Sequence, residues 1–289
     1  MTSPHIEPKV RIAFQGERGA FSEEAAVKLL GEEIELVPRP TFESLFASIN
    51  EGAADYILAP LENSLAGSVH RSYDLLLDST LRITAEVVIP ITHNLIGCPG
   101  AEFNSITSVE SHPVALAQCE HFFAAHPQVK RIVAEDTAGS VREVMRQRDP
   151  TRAAIAGRRA AYIYGGQILR EHLEDHQENY TRFVLLAPSD EMRDMLQHEP
   201  PDKLSLVVRL GHKPGALHQA LEPFASRHIN LLKIESRPIF GRPWQYHFYL
   251  DLQAALDDQR VAVALEELHA QSDDVRVLGC FKAASLVNE

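Results

Sequence analysis

Cysteine is scarce in this chain, and so are the local signatures that most often announce a chemistry. The three cysteines, Cys98, Cys119 and Cys280, lie far apart and form no CxxC pair. That excludes a disulfide framework and reads as buried free thiols in a reducing compartment, the cytoplasm. No apolar stretch approaches the roughly 20 residues of a membrane span, and MTSPHIEPKVRIAF at the N-terminus lacks a signal-peptide core. Basic blocks are missing too. A formal net charge of −12 without such a block argues against nucleic-acid binding. It also means that an anionic substrate must be drawn in locally, by a few arginines and backbone N–H groups. GxGxxG, GK[ST], GxSxG, HExxH and HxxEH do not occur, which removes the usual grounds for nucleotide, serine-nucleophile and zinc-protease chemistry. His172 and His176 would share a face if EHLEDH were helical, yet with Glu174 and Asp175 between them a solvated, charged helix end fits better than a metal site. No metal site is expected.

What is present is a soluble globular composition, 45% hydrophobic and 24% charged over 289 residues, enough for one large domain or two ordinary ones. The first half alternates short apolar runs with helical stripes. VRIAF, IELV, YILAP, RIVA and AAIA read as strands, and RITAEVVIPITHNLIGC as one long extended segment or two strands broken at Pro90. Between them Phe42, Leu45, Phe46 and Ile49 mark one helical stripe, and Leu116, Cys119 and Phe123 another. This βαβα rhythm predicts parallel sheets covered by helices. Two lobes with a cleft are preferred to one long sheet: residues 1–189 form the first domain, with a second lobe over about 90–178. FVLLA then returns the chain to the first lobe. PSDEMRDMLQHEPPDK ends as a linker. Residues 203–284 follow as strand, helix, strand, strand, helix, strand, the split ferredoxin-like α+β arrangement.

Ser22, Ser68, Ser111 and Thr137 each stand where an extended segment gives way to a helix. In an open α/β sheet such turns gather at the carboxyl ends of the strands, where ligands bind, and each helix start offers free N–H groups. Any one of these hydroxyls taken alone is better explained as the cap of its own helix; together they describe a cleft for a small anion with more than one carboxylate. Glu62, Asn63 and Ser64 follow the third strand and serve either that cleft or a turn. Gln118 lies two helical turns after Ser111 and shares its face. FQGERGAF suits a tight turn or an anion at the helix behind it. ENYTRFVLLAP is the least ordinary stretch, with Thr181 and Arg182 at the doorway of a core strand. The pair makes sense if the strand is antiparallel, so that its start lies in the cleft; an edge-strand Thr beside a solvated Arg is the plain alternative.

GERGAFSEEAA, APLENSLAGSV, ESHPVALAQC, NYTRF and, in the second domain, GALHQAL with IESRP occur in order over about residues 9–284. Together they resemble prephenate dehydratase with a C-terminal ACT regulatory domain, in its monofunctional form. One departure is Asp136, where the family has a small or hydroxyl residue.

The resemblance implies a two-lobed, periplasmic-binding-protein-like α/β catalytic domain followed by the ACT domain. It implies conversion of the dianion prephenate to phenylpyruvate in phenylalanine synthesis, with no cofactor. Thr181, Glu62 and Arg182 become the catalytic candidates: Thr181 the donor to the leaving hydroxyl, Glu62 its support, Arg182 an anchor for carboxylate. Asn63, Ser64, Ser111, Gln118, Thr137, Phe183 and Ser22 become substrate contacts. Gly215, Ala216 and Leu217, with Glu235, Ser236, Arg237 and Pro238, become the site for inhibitory phenylalanine between paired domains, in a homodimer or homotetramer. Arogenate dehydratase, or a two-lobed sensor without enzymatic activity, would fit the same cleft.

Overall fold

The computed structural model describes residues 9–188 and 199–285. The tip of the N-terminus and most of the expected linker, residues 189–198, lie outside them. The chain divides into two compact units. One holds the residues up to Ser79 together with Val87–Val184; the other holds Thr80–Glu86 and Leu185–Ser285.

The first unit contains two lobes. In lobe one, β1 (Arg11–Gln15), β2 (Glu35–Arg39) and β3 (Tyr56–Asn63) are parallel, and the short β4 (Gly67–Ser68) folds back on β3. Beyond β3 the sheet continues with β11 (Tyr180–Ala187) and then β5 (Arg82–Pro90), giving the order β2-β1-β3-β11-β5. The boundary between the two units falls within β5 and within β11. Helices α1 (Phe21–Leu30), α2 (Phe42–Asn50) and α3 (His70–Asp78) follow the first strands. The apolar stripe seen in α2 is real: Leu45 and Phe46 are buried, and Thr41 with Ser44 closes a capping box.

Lobe two is built on β6 (Asn94–Gly97), β7 (Ser108–Ser111), β8 (Lys130–Val133), β9 (Arg152–Ala156) and β10 (Gln167–Arg170), in the order β10-β6-β9-β7-β8. The segment RITAEVVIPITHNLIGC is thus two strands parted just after Pro90. Parallel pairing holds for β7 with β8 and β9, but β6 pairs antiparallel with β9 and β10, so both lobes have mixed sheets. Strand alternation sends Leu95, Ala153 and Ile155 to one apolar cluster and Ile96, Ala154 and Ala156 to another, so both faces are covered. α4 (Pro113–Ala117) and α5 (Glu120–Ala125) supply one cover, α6 (Thr137–Gln147) and α7 (Arg158–Tyr164) the other.

Several local expectations are corrected. The single helix foreseen after Ser111 is two, broken at Gln118 and Cys119. Residues 171–178 are not helical, and His172 has a positive φ of 54°, so His172 and His176 do not share a helical face. β10 carried no clear strand signal; its residues are half exposed or exposed at the sheet edge.

The second unit carries β12 (Lys203–Arg209), β13 (Leu231–Ile239), β14 (Arg242–Leu252) and β15 (Asp274–Phe281), with helices Ala216–Ala225 and Gln259–Gln271 between them. The sheet order is β13-β14-β12-β15, the ferredoxin-like interleaving of a βαββαβ chain. Leu204, Leu206 and Val208 alternate inward and meet Phe224, Leu250, Val261 and Leu268 in one core.

Candidate active site

Thr181 is the second residue of β11. The Ser64 N–H donates to the Tyr180 carbonyl at 2.8 Å, so β11 starts where β3 ends. Thr84 Oγ1 donates to the Leu185 carbonyl at 3.2 Å and the Ile91 N–H to the Asn179 carbonyl at 2.7 Å, so residue numbers rise along β5 as they fall along β11. The strand is therefore antiparallel to its neighbours. Its first residues arrive at the carboxyl ends of β1 and β3, where a parallel sheet opens to ligands.

Thr181 is buried, and its hydroxyl oxygen accepts from Asn63 Nδ2 at 3.0 Å. The same amide nitrogen lies 2.7 Å from Asn179 Oδ1 and 3.1 Å from the Tyr180 carbonyl. Asn63 Oδ1 in turn accepts from the backbone N–H groups of Leu65 (3.0 Å) and Ala66 (2.7 Å), which fixes the amide's orientation. Asn179 Nδ2 donates to Gln118 Oε1 at 3.0 Å, and His93 Nε2 stands 2.9 Å from that oxygen. Ser64 closes the same corner, donating to the Glu178 carbonyl and accepting from the Tyr180 N–H, both at 2.9 Å. Four foreseen residues, Asn63, Ser64, Gln118 and Thr181, thus meet in one network. Sequence reasoning missed His93 and Asn179; the Asn of NYTRF was in view, and the His of THNLIG lay at a strand break.

The other candidates fall elsewhere. Strand pleating turns Glu62 and Arg182 to the opposite face from Asn63 and Thr181, so neither sits beside the Thr181 hydroxyl. Phe183 shares the Thr181 face and is buried in the sheet. Ser111 ends β7 and spends its hydroxyl on the Ile155 carbonyl at 2.6 Å. Ser22, Ser111 and Thr137 are not the N-caps of their helices, and Ser68 stands one residue before the Val69 N-cap. Ala20 precedes α1, leaving Ser22 buried in the first turn; Val69 precedes α3, leaving Ser68 in β4. His112 caps α4 through Nδ1, and Asp136 caps α6, making Thr137 the first helical residue. Each helix start is displaced by one or two residues; at α4 and α6 another side chain takes the exposed N–H, whereas the N-cap residues of α1 and α3, Ala20 and Val69, offer no side-chain cap. The Asp136 carboxylate accepts from the Gly139 N–H at 2.6 Å, which accounts for the departure noted at this position.

The lobes also meet around Glu23. Its carboxylate is fully buried and accepts from Arg18 Nε (2.7 Å), the Gly19 N–H (2.9 Å) and, from lobe two, Arg159 Nε (2.9 Å). Burial pushes the carboxyl up, but the two guanidinium groups and the amide outweigh it and hold the pKa below the usual glutamate range. Gly19 packs so closely on Ala160 that a Cβ would stand 2.7 Å from its Cα. Burial pushes the Cys119 thiol far up, so it stays protonated and is no nucleophile. Among the described residues no group of three or more His, Cys, Asp or Glu side chains is placed to hold a metal.

In the second unit Gly215 precedes helix Ala216–Ala225 with a φ of 79° and open space where a Cβ would stand. Ala216 and Leu217 open that helix and pack against the core. On β13, Ser236 faces Phe248 of the core side, whereas Glu235 faces Tyr249 and Arg237 faces His247 on the other side. Ser236 and Pro238 are exposed, Glu235 and Arg237 half-buried.

A two-lobed α/β domain with a polar network at the junction of its lobes, followed by a βαββαβ unit, defines a class: a small-molecule enzyme domain joined to an ACT domain. The prephenate dehydratase family profile matches residues 12–191 and the ACT domain profile residues 204–270. Arogenate dehydratase/prephenate dehydratase 1 of Arabidopsis thaliana is 40% identical over 289 residues, 95% of this chain and 72% of that protein. Among solved structures, the prephenate dehydratase of Arthrobacter aurescens in complex with L-Phe superposes with a TM-score of 0.84 at 33% identity, covering 95% of this chain and 90% of that one. GqqA, a quorum-quenching acylase of a novel type, superposes with a TM-score of 0.85 at 30% identity, covering 96% of this chain and all of that one. The chain belongs to the prephenate dehydratase family and is a carbon–oxygen lyase with a C-terminal ACT domain.

Proposed function

We propose that this chain converts prephenate to phenylpyruvate by decarboxylative dehydration, in phenylalanine synthesis. The observation that carries the reading is the buried Thr181 hydroxyl, whose oxygen accepts from Asn63 and whose own proton is left to donate. Prephenate carries two carboxylates and a ring hydroxyl. As the ring carboxylate leaves as CO2, its bonding electrons enter the ring, the C–O bond breaks, and the departing hydroxide takes a proton to become water. Aromatisation drives the step. A threonine hydroxyl is a weak acid, so Thr181 serves as an aimed hydrogen-bond donor to the leaving oxygen, with solvent completing the protonation. The Gln118 side-chain NH2 has no partner among the described residues and is free to meet a substrate carboxylate. Asn63 and Ser64 hold the floor of the site; contact of Ser22, Ser111, Thr137 and Phe183 with the substrate rests on the family resemblance alone. Glu62 and Arg182, on the other sheet face, act on the site at most through the strands that carry them.

The catalytic domain on this reading is 1–189 and the ACT domain 203–284. Phenylalanine inhibits by binding at Gly215–Leu217 and Glu235–Pro238 in a cytoplasmic homodimer or homotetramer; the ligand named for the Arthrobacter structure supports that choice. The Arabidopsis relative carries arogenate in its name as well. Turnover of prephenate and of arogenate should therefore be compared, reading phenylpyruvate by ultraviolet absorbance and phenylalanine by chromatography. Prephenate is expected to be the better substrate by kcat/KM. Preference for arogenate would reassign the substrate, and absence of product from both would overturn the reading.

A further inference from the structure

His93 lies between β5 and β6, almost wholly buried, and its ring is spent on a single partner. Its backbone N–H donates to Glu174 Oε2 at 2.7 Å and its carbonyl accepts from the Leu173 N–H at 2.8 Å, so the residue is clamped at both ends. The Phe21 ring and the imidazole meet in a T-shaped contact, 5.9 Å between centroids. Nδ1 is buried without a hydrogen-bond partner among the described residues. Nε2 faces Gln118 Oε1.

Hydrogen-bond polarity along this line has only one consistent solution. Backbone N–H groups of Leu65 and Ala66 point at Asn63 Oδ1, so the Asn63 NH2 must face Asn179 and Thr181. Asn179 then presents its oxygen to Asn63 and its NH2 to Gln118, which leaves Gln118 Oε1 as an acceptor. The atom on the far side of that oxygen has to be a donor, so the His93 proton belongs on Nε2. Burial lowers the His93 pKa against the opposing pull of Gln118 and Glu174, which keeps the ring neutral with one proton to place.

We propose that His93 is a positioning residue: its Nε2–H locks the Gln118 amide, and through Gln118, Asn179 and Asn63 it holds the Thr181 hydroxyl as a donor toward the substrate. This rests on Thr181 being the group that meets the leaving hydroxyl. Without the Nε2–H, Gln118 Oε1 keeps only the bond from Asn179 and its side chain can turn, releasing the lobe-two end of the chain. Nδ1 has no hydrogen-bond partner among the described residues, so the one directed contact of the buried ring is that of Nε2 with a site amide.

The test compares His93→Leu, His93→Gln and His93→Asn, with Thr181→Val alone and combined with His93→Leu. The Gln amide nitrogen reaches the place of Nε2; the Asn nitrogen reaches only that of Nδ1. Loss of one neutral hydrogen bond predicts about a tenfold fall in kcat for His93→Leu and His93→Asn, with a smaller rise in KM as Gln118 loosens from the substrate carboxylate, and most of the kcat restored in His93→Gln. In the Thr181→Val background His93→Leu should cost less than about twofold more, since both act on one group. In the wild-type protein, 15N imidazole NMR, with His93 assigned by its loss in His93→Gln, should show a neutral Nε2–H tautomer. A kcat within twofold of wild type for His93→Leu, His93→Gln no better than His93→Leu, or an Nδ1–H or imidazolium signal would overturn the proposal. Full activity in Thr181→Val would instead overturn the Thr181 reading itself, a distinguishable failure.

Discussion

Glu23 shows how a single buried carboxylate joins two lobes. Three donors converge on it, one of them Arg159 from α7. Its pKa is lowered in the fold, so the stabilisation is present above the unfolded-state pKa and is lost as pH falls through the folded value. Acid unfolding of the wild type should accordingly show a pH-dependent loss of stability below the ordinary glutamate range that Glu23→Gln lacks, measured by urea unfolding over a pH series; parallel slopes would contradict it. Arg159→Ala should cost roughly 2 kcal/mol at neutral pH, as for loss of a hydrogen bond to a charged group. In the sequence Glu23 reads only as a first-turn acid opposing the helix dipole. Its partner lies 136 positions away, and no local pattern records that distance. Thr181 was easier to find, since a polar pair before a core strand conflicts with packing and so marks itself.

Among the elements, β11 and α6 are instructive in opposite ways. The direction of β11 was legible because only an antiparallel strand brings Thr181 to the ligand end of the sheet, and Ser64 and Tyr180 pair as that requires. The helix starts were not: at α4 and α6 a neighbouring side chain takes the free N–H groups, and at α1 and α3 the N-cap residue is Ala20 or Val69, which has no capping side chain. In α6 the Asp136 carboxylate wins, and it can do so because position 139 is glycine: a Cβ there would stand 2.5 Å from Asp136 Oδ2. Gly139→Ala should therefore destabilise by about 1 kcal/mol, the worth of a displaced cap. In an Asp136→Ser background the same change should be neutral or stabilise by about 0.5 kcal/mol, since alanine is the better helix former. Equal penalties in both backgrounds, by urea unfolding, would show that the two residues are uncoupled. The break between α4 and α5 escaped the helical stripe of Leu116, Cys119 and Phe123 because all three are buried in spite of it.

At the scale of the whole molecule, the two-domain organisation was visible as a change of rhythm, from βαβα to βαββαβ, because strand and helix periodicities differ. The mixed pairing of the lobe-two sheet was hidden, since β6 and β9 have equally apolar runs whichever way they pair. Regulation is proposed to reside in the ACT domain, where Ser236 is exposed on β13. Ser236→Ala should weaken inhibition by phenylalanine several-fold while leaving activity in its absence unchanged, because an exposed hydroxyl carries no packing in the fold. A matching loss of basal activity would make the strand end structural.

The central claim is that the Thr181 hydroxyl acts on the leaving group. Steady-state kinetics of Thr181→Val on prephenate test it most directly, with circular dichroism confirming the fold. A fall in kcat of about a hundredfold or more, with KM within a few-fold of wild type, is predicted, because the bond is made chiefly in the transition state. Unchanged kcat, or a loss confined to KM, would contradict it.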